Sequence, residues 1–178
     1  HGYINEHGME QIVRDTRIAT LYEGTTGIQA LDLLGRKTLR EHGRSLGLLA
    51  EEMTAAVTRA KEAGLDPRFG RALQEAITKV GALVQHLGGR AQSDLPEALA
   101  HASDFLDLMS TVVVAWQWLL QATAATTALG QGRTPERFFR AKLAAAAHFF
   151  DAELPRVDAL AHRCRHDRSY FELDPAWL

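Results

Sequence analysis

The sequence predicts an all-α protein built as an antiparallel helical bundle. Apolar residues recur every three or four positions along almost the whole chain, and the alternation typical of a half-buried strand is rare. The segments that interrupt this pattern are short, so consecutive helices are expected to lie side by side and antiparallel. With 178 residues, of which 46% are hydrophobic, the chain can bury a core of its own.

Two helices are expected to begin within residues 1–40. In the first, Glu10 and Arg14 stand one turn apart and should form a favourable ion pair. The second is expected to begin at a capping box formed by Thr26 and Gln29, whose side chains each accept a backbone N–H. The predicted apolar faces are Met9, Ile12, Val13 and Thr16 in the first helix, and Ile28, Leu31, Leu34 and Lys37 in the second.

Four further helices are expected in residues 41–178. Glycines should end them, because glycine readily adopts the left-handed conformation that follows a helix C-terminus. Two of them should start where an Asp or Thr directly precedes a proline, since proline suits the first helical position, and another should start at Asp94. The expected stops are Gly64, Gly88–Gly89 and Gly130–Gly132, and the expected starts are Asp66–Pro67, Asp94 and Thr134–Pro135. Pro155 is expected to kink the last helix because it lacks a backbone N–H.

Charge and cysteine content limit the classes of function. The chain has 20 Lys+Arg and 22 Asp+Glu, so it carries no net field that would attract nucleic acid or an anionic membrane. Its longest apolar run, residues 106–115, is interrupted by Asp107 and Ser110 and is too short to span a membrane. A single cysteine, Cys164, excludes an internal disulfide, and we expect a reducing, cytoplasmic location.

The segment HRCRHD contains three side chains that can bind metals, His162, Cys164 and His166. At 3.6 residues per turn the thiol projects roughly 160 to 200° away from the two rings, so the three do not converge. The Glu-x-x-His repeats of a di-iron bundle are also missing from the sequence. We therefore expect no metal site and interpret the segment as a solvated helix end with cations near its negative pole.

A polar stretch, LYEGTTGIQ at residues 21–29, interrupts the helices near the start of the chain. It places Glu23 between an aromatic ring and a glycine, on a turn rich in hydroxyls. From spacing alone, the favoured interpretation is a solvated acid followed by a helix cap. Gln29 stays open between a capping partner and a ligand contact.

Residues 1–40 resemble the last two helices of the acyl-CoA dehydrogenase catalytic fold, in which G-Y-x-x-E, R-D-x-R-I, Y-E-G-T and I-Q follow at this spacing. The matching positions are Gly2, Tyr3, Glu6, Arg14, Asp15, Arg17, Ile18, Tyr22, Glu23, Gly24, Thr25, Ile28 and Gln29. The continuation GIQALDLLGRK is similar to a bacterial branch that includes 3-methylthiopropanoyl-CoA dehydrogenases and broad-range acyl-CoA dehydrogenases. That branch carries an extra C-terminal helical domain, which residues 41–178 resemble in length and pattern.

The resemblance implies an FAD-dependent enzyme that oxidises an acyl-CoA thioester to the trans-2-enoyl-CoA. It implies that Glu23 takes the α-proton while the β-hydrogen leaves as hydride to flavin N5. Tyr22 and Gly24 would then contact the acyl substrate. Residues 25–27, that is Thr25, Thr26 and Gly27, would contact FAD. Electron-transfer flavoprotein is the expected electron acceptor, and a homo-oligomer is the expected assembly.

The resemblance covers only the end of the catalytic fold. The family's FAD-binding β-domain, its Q-x-x-G-G segment and the N-terminal helices that complete the acyl pocket do not occur in this sequence. We therefore expect residues 1–40 to be the end of the catalytic helical domain and residues 41–178 to be an appended bundle. We expect the chain alone to be inactive. The alternative is a freestanding helical interaction or oligomerisation module that keeps the motif as a scaffold turn.

Overall fold

The computed structural model describes residues 4–21, 25–41, 43–171 and 176. Within these ranges all regular structure is helical, which confirms the predicted all-α class. The α-helices are α1 (Glu10–Thr16), α2 (Thr26–Leu31), α3 (Arg44–Glu62), α4 (Pro67–Ser93), α5 (Leu95–Leu99), α6 (Ala102–Gly130), α7 (Glu136–His148) and α8 (Arg156–Arg163). The π-helical segments Asp32–Arg40 and Phe149–Glu153 extend α2 and α7, and 3₁₀ turns cover Asn5–His7, Arg17–Thr20 and Arg168–Phe171.

Helix α6 is the centre of the bundle and packs against α2, α3, α4, α7 and α8. Its buried residues repeat at intervals of three and four, which keeps them on one stripe of the helix: Phe105, Leu108, Val112, Ala115, Leu119 and Ala122. The stripe on α4 follows the same rule: Phe69, Leu73, Ala76, Val80, Leu83 and Leu87. These stripes belong to one continuous core.

Within the described part of the chain, α6 is the one helix long and apolar enough to cross a membrane by length and composition. The sequence prediction considered only the shorter run over residues 106–115, and so overlooked this property of the whole helix. The core helix of a bundle can be equally long and apolar. Phe105 and Leu119 of α6 are completely buried inside the bundle, as in a core helix, whereas Val114 of the same helix is exposed.

Two helix ends follow from local glycine geometry as predicted. Gly64 has φ 75° and Gly132 has φ 68°, both in the left-handed region that only glycine adopts without strain. After Gly64, the N–H of Leu65 donates to the carbonyl of Ala60 over 3.0 Å, closing the last turn of α3. At the start of α4, the Asp66 carboxylate accepts the N–H of Arg68 over 2.9 Å, so Asp66 is confirmed as the predicted N-cap.

Two other predicted boundaries were wrong. Helix α4 passes through Gly88 and Gly89 and ends at Ser93, because burial of Leu83 and Leu87 outweighs the roughly 1 kcal/mol that each interior glycine costs. The single helix expected over residues 94–129 is divided into α5 and α6.

The break between α5 and α6 falls at His101. The Nδ1 atom of this side chain lies 3.3 Å from Asp104 Oδ2. Its Nε2 atom lies 3.4 Å from the carbonyl oxygen of Asp167. The break is therefore held both by the first turn of α6 and by the C-terminal segment.

Glycines 70 and 81 of α4 offer a matched test of packing. A Cβ at Gly81 would meet no atom within 4 Å, whereas a Cβ at Gly70 would lie 3.0 Å from Val57 Cγ1 of α3. We expect Gly81→Ala to raise the free energy of unfolding by about 0.5 to 1 kcal/mol, since alanine has the better helix propensity. Gly70→Ala should not raise the free energy of unfolding by this amount. Urea denaturation of both variants tests this, and an equal gain would show that α3 and α4 are not in close contact.

Candidate functional site

The residues proposed for acid–base chemistry and substrate contact, Tyr22, Glu23 and Gly24, lie outside the described residues. The structure describes the chain on either side of them. Before them, the 3₁₀ turn ends at Thr20, and the N–H of Leu21 donates to the carbonyl of Ile18 over 2.9 Å. After them, the chain continues at Thr25, directly before α2.

The three residues proposed to contact FAD, Thr25, Thr26 and Gly27, lie at the N-terminus of α2 and are all exposed. The predicted capping box is wrong. Thr25, and not Thr26, occupies the N-cap position, and no side-chain hydrogen bond caps the helix. Gln29 contributes only its backbone N–H, which donates to the Thr25 carbonyl over 2.8 Å as the first regular helical bond. The hydroxyls and the first N–H groups of α2 therefore remain directed toward solvent.

The apolar face predicted for the second helix was also partly wrong. Leu34 is buried as expected, but Ile28 and Leu31 are 65% and 48% exposed. The buried side chains are instead Ala30, Leu34 and Thr38, spaced by four residues. The helix widens to the π form from Asp32, which shifts the buried face away from the one that a 3.6-residue period gives.

This π-helical segment anchors the motif to the bundle. Ala30 and Leu34 belong to the same core as α4 and α6. Next to Leu34, a Cβ on Gly35 would lie 3.4 Å from Leu99 Cδ2, so the π-helical segment and α5 approach each other closely. The C-terminal end of the LYEGTTGIQ stretch is thus packed against the core of the bundle.

The segment before the turn is held much less firmly. Helix α1 buries no residue, and the predicted Glu10–Arg14 pair is present on its surface at 2.7 Å. Large apolar side chains both in this segment and in α2 are exposed: Ile4, Met9, Ile12, Ile18, Leu21, Ile28 and Leu31. We refer to these seven residues as the exposed N-terminal face. Exposed apolar side chains in this number are characteristic of a surface that another structure covers.

The structure confirms that Cys164 and the two neighbouring histidines do not converge. Cys164 is 1% exposed and points into the core, whereas His162 lies on the surface. No cluster of three or more metal-ligating side chains occurs among the described residues. Desolvation, together with the nearby Asp104 carboxylate, raises the pKa of the Cys164 thiol to about 12.

The buried thiol should be unreactive in the folded chain. Its raised pKa lowers the thiolate fraction at neutral pH by roughly 1,000-fold relative to an ordinary cysteine, and only the thiolate attacks a disulfide reagent. We expect labelling of native Cys164 by an aromatic disulfide to be at least about 100-fold slower than labelling in urea. Comparable rates in the two states would show that this end of the bundle opens readily.

An apolar cavity of about 190 Å³ lies between α3, α4 and α6, and the sequence analysis did not single it out. Its lining includes Leu46, Met53, Val80, Met109 and Val112, together with three glycines. Among the described residues that line it none is titratable, and none belongs to the described part of the LYEGTTGIQ stretch.

Comparison with known proteins gives a consistent result. Residues 49–174 match the family described as acetyl-CoA dehydrogenase C-terminal like. A 3-methylmercaptopropionyl-CoA dehydrogenase of Ruegeria pomeroyi is 40% identical over 159 residues, which cover 89% of this chain and 27% of that protein. FadE5 of Mycobacterium tuberculosis, a broad-specificity linear acyl-CoA dehydrogenase, is 29% identical over 184 residues, which cover 98% of this chain and 30% of that protein.

A butyryl-CoA dehydrogenase of Syntrophomonas wolfei is 23% identical over 160 residues, which cover 88% of this chain and 26% of that protein. The chain thus spans less than a third of the length of each of these relatives. A match that covers 89% of a chain of 178 residues necessarily spans residues 21–158. The match to the Ruegeria protein therefore includes the LYEGTTGIQ turn as well as most of the bundle.

Proposed function

Because this chain belongs to the acetyl-CoA dehydrogenase C-terminal-like family, we propose that it is the C-terminal part of an FAD-dependent acyl-CoA dehydrogenase. The observation that carries the proposal is the 40% identity to a 3-methylmercaptopropionyl-CoA dehydrogenase over a stretch that includes residues 22–27. The reaction is the oxidation of an acyl-CoA thioester to the trans-2-enoyl-CoA.

Glu23 is the proposed general base that takes the α-proton of the thioester. A free glutamate titrates near 4.3 and is too weak a base for a carbon acid, so burial beside the acyl chain must raise its pKa. The backbone N–H of Glu23 would donate to the thioester carbonyl and stabilise the negative charge that develops there. Gly24 has no Cβ, which lets the substrate approach the backbone closely, and Tyr22 would form a wall of the acyl pocket.

Residues 25–27 are suited to hold the polar part of FAD. The exposed hydroxyls of Thr25 and Thr26 are not used in helix capping, and Gly27 adds an N–H without a side chain in the way. The start of a helix offers orphan N–H groups and a favourable dipole to a polar or anionic group. FAD, when bound, supplies the acceptor for the β-hydride.

The exposed N-terminal face fits a chain that completes a larger enzyme. We propose that residues 1–40 end the catalytic helical domain and that residues 41–178 are the appended bundle. The other parts of the enzyme would then cover the exposed N-terminal face, whose burial contributes roughly 25 cal/mol per Å² of apolar surface. A cytoplasmic location, a homo-oligomer and electron-transfer flavoprotein as acceptor belong to the same proposal.

Purification of the full-length protein alongside this 178-residue chain tests the proposal. The full-length protein should bind FAD and reduce an artificial dye when given an acyl-CoA. The isolated chain should show helical circular dichroism, bind no flavin after desalting and reduce no dye. A full-length protein without flavin or without acyl-CoA-dependent dye reduction would contradict the proposal and favour a helical interaction module.

A further inference from the structure

The histidine pair at the end of α8 brings its two imidazole rings into direct contact. His162 lies in the last turn of α8, and His166 follows the helix end by three residues. Their Nε2 atoms are 3.1 Å apart, and the rings meet edge to face with centroids 4.7 Å apart. With the thiol of Cys164 directed into the core, the two imidazoles form a separate pair at the surface.

The separation of these two nitrogens matches the spacing of two ligands on one metal ion. Imidazole nitrogens bind Zn²⁺ at about 2.0–2.1 Å, so two of them on one ion stand about 2.9 Å apart at a right angle and about 3.4 Å apart at the tetrahedral angle. The observed 3.1 Å lies between these limits.

The backbone that carries the pair is fixed by contacts on both sides. The guanidinium of Arg90 donates to the carbonyl oxygen of His166 over 2.9 Å. Arg163, which follows His162, forms a 2.9 Å ion pair with Asp104 of α6. Cys164 between the two histidines is buried. A pair already held at the required spacing loses little conformational freedom when it binds an ion.

The charges around the pair are compatible with a cation. Asp104 offsets the charge of Arg163, and the carboxylate-bearing Asp167 follows His166 directly in the chain. Arg165 is the remaining cation within this segment. Imidazole is a borderline ligand that suits Zn²⁺, Ni²⁺ and Cu²⁺, whereas Mg²⁺ and Ca²⁺ prefer oxygen ligands.

We propose that His162 and His166 together bind one divalent late transition-metal ion through their Nε2 atoms. Water completes the coordination, since the described residues offer no third ligand. The ion joins the last turn of α8 to the segment that Arg90 holds against α4, and so ties the C-terminal part of the chain to the bundle. This site is independent of the proposed acyl-CoA chemistry.

Titration calorimetry with zinc chloride tests the site on this chain. We expect His162→Gln and His166→Gln each to weaken Zn²⁺ binding by at least about tenfold, because each removes one of two ligands. The matched control is His148→Gln, which alters an exposed histidine on α7 and should change the affinity by less than about twofold. The double variant measures any binding by other histidines, and Mg²⁺ should give no binding.

A second readout separates a metal site from a simple hydrogen bond between the rings. If Zn²⁺ binds only the folded chain, it should raise the thermal midpoint of the unaltered protein and of His148→Gln, and leave that of the double variant unchanged. Circular dichroism checks that all variants keep their helices. Equal Zn²⁺ affinity in the unaltered chain and the double variant, or no Zn²⁺ binding by the unaltered chain, would overturn the proposal.

Discussion

Replacing Glu23 with glutamine in the full-length enzyme is expected to reduce acyl-CoA oxidation by about 100-fold or more, as is typical for loss of a general base. The amide has nearly the same shape as the carboxylate but cannot accept the α-proton. Binding of FAD and acyl-CoA should persist, because the substitution changes only the side-chain carboxylate of Glu23. Steady-state dye reduction measures the rate, and flavin content and acyl-CoA affinity are measured on the same preparation.

Glu51→Gln provides the control for the Glu23 variant. Glu51 is exposed on α3, within the appended bundle, so its replacement should leave dehydrogenation unchanged. If Glu23→Gln retained a rate close to that of the unaltered enzyme, the base would have to be sought elsewhere. If both variants lost activity together with their flavin, the loss would reflect structure and not proton transfer.

The largest stability effect is expected for Phe105→Ala. Phe105 is completely buried on α6, at the centre of the core shared with α4 and α8. Removing its ring loses the burial of the aromatic atoms and leaves a cavity that the surrounding helices cannot fill. We expect the free energy of unfolding to fall by about 3–5 kcal/mol, a large share of the stability of an ordinary domain. Urea denaturation of this chain measures the change.

Phe138→Ala is the matched control on the same residue type. Phe138 is 53% exposed on α7 and contacts the ring of Phe139 edge to face, with centroids 5.5 Å apart. Losing that contact should cost about 1 kcal/mol or less. If the two alanine variants were equally destabilised, α6 would not be the buried centre of the bundle.

The helix ends that could be predicted are those set by local chemistry. Gly64 adopts a left-handed backbone and Asp66 accepts an N–H two residues on, and neither depends on distant parts of the chain. The passage of α4 through Gly88 and Gly89 could not be predicted, because tertiary burial outweighs a local preference there. The buried face of the second helix was mispredicted because its period changes where the π-helical segment begins at Asp32.

For the candidate site, the roles of Tyr22, Glu23 and Gly24 stay predictions, because these residues lie outside the described ranges. The orientation of Cys164 could be predicted from the angle between neighbouring positions on a helix, and its burial confirms it. The described residues do not cover the exposed N-terminal face, so the shape of the proposed acyl pocket could not be derived from them. The four-residue spacing brings His162 and His166 to one side, but the 3.1 Å between their Nε2 atoms could not be predicted, because His166 lies beyond the helix end.

The most direct measurement of the central claim is an anaerobic titration of the purified full-length protein with an acyl-CoA, followed by the visible absorbance of its flavin. If this chain is the C-terminal part of an FAD-dependent acyl-CoA dehydrogenase, the oxidised flavin absorbance should disappear as substrate is added, with formation of the trans-2-enoyl-CoA. The Glu23→Gln enzyme should bind the same substrate and keep its oxidised flavin spectrum over the same period. A full-length protein that contains no flavin, or whose flavin stays oxidised with every acyl-CoA supplied, would contradict the account.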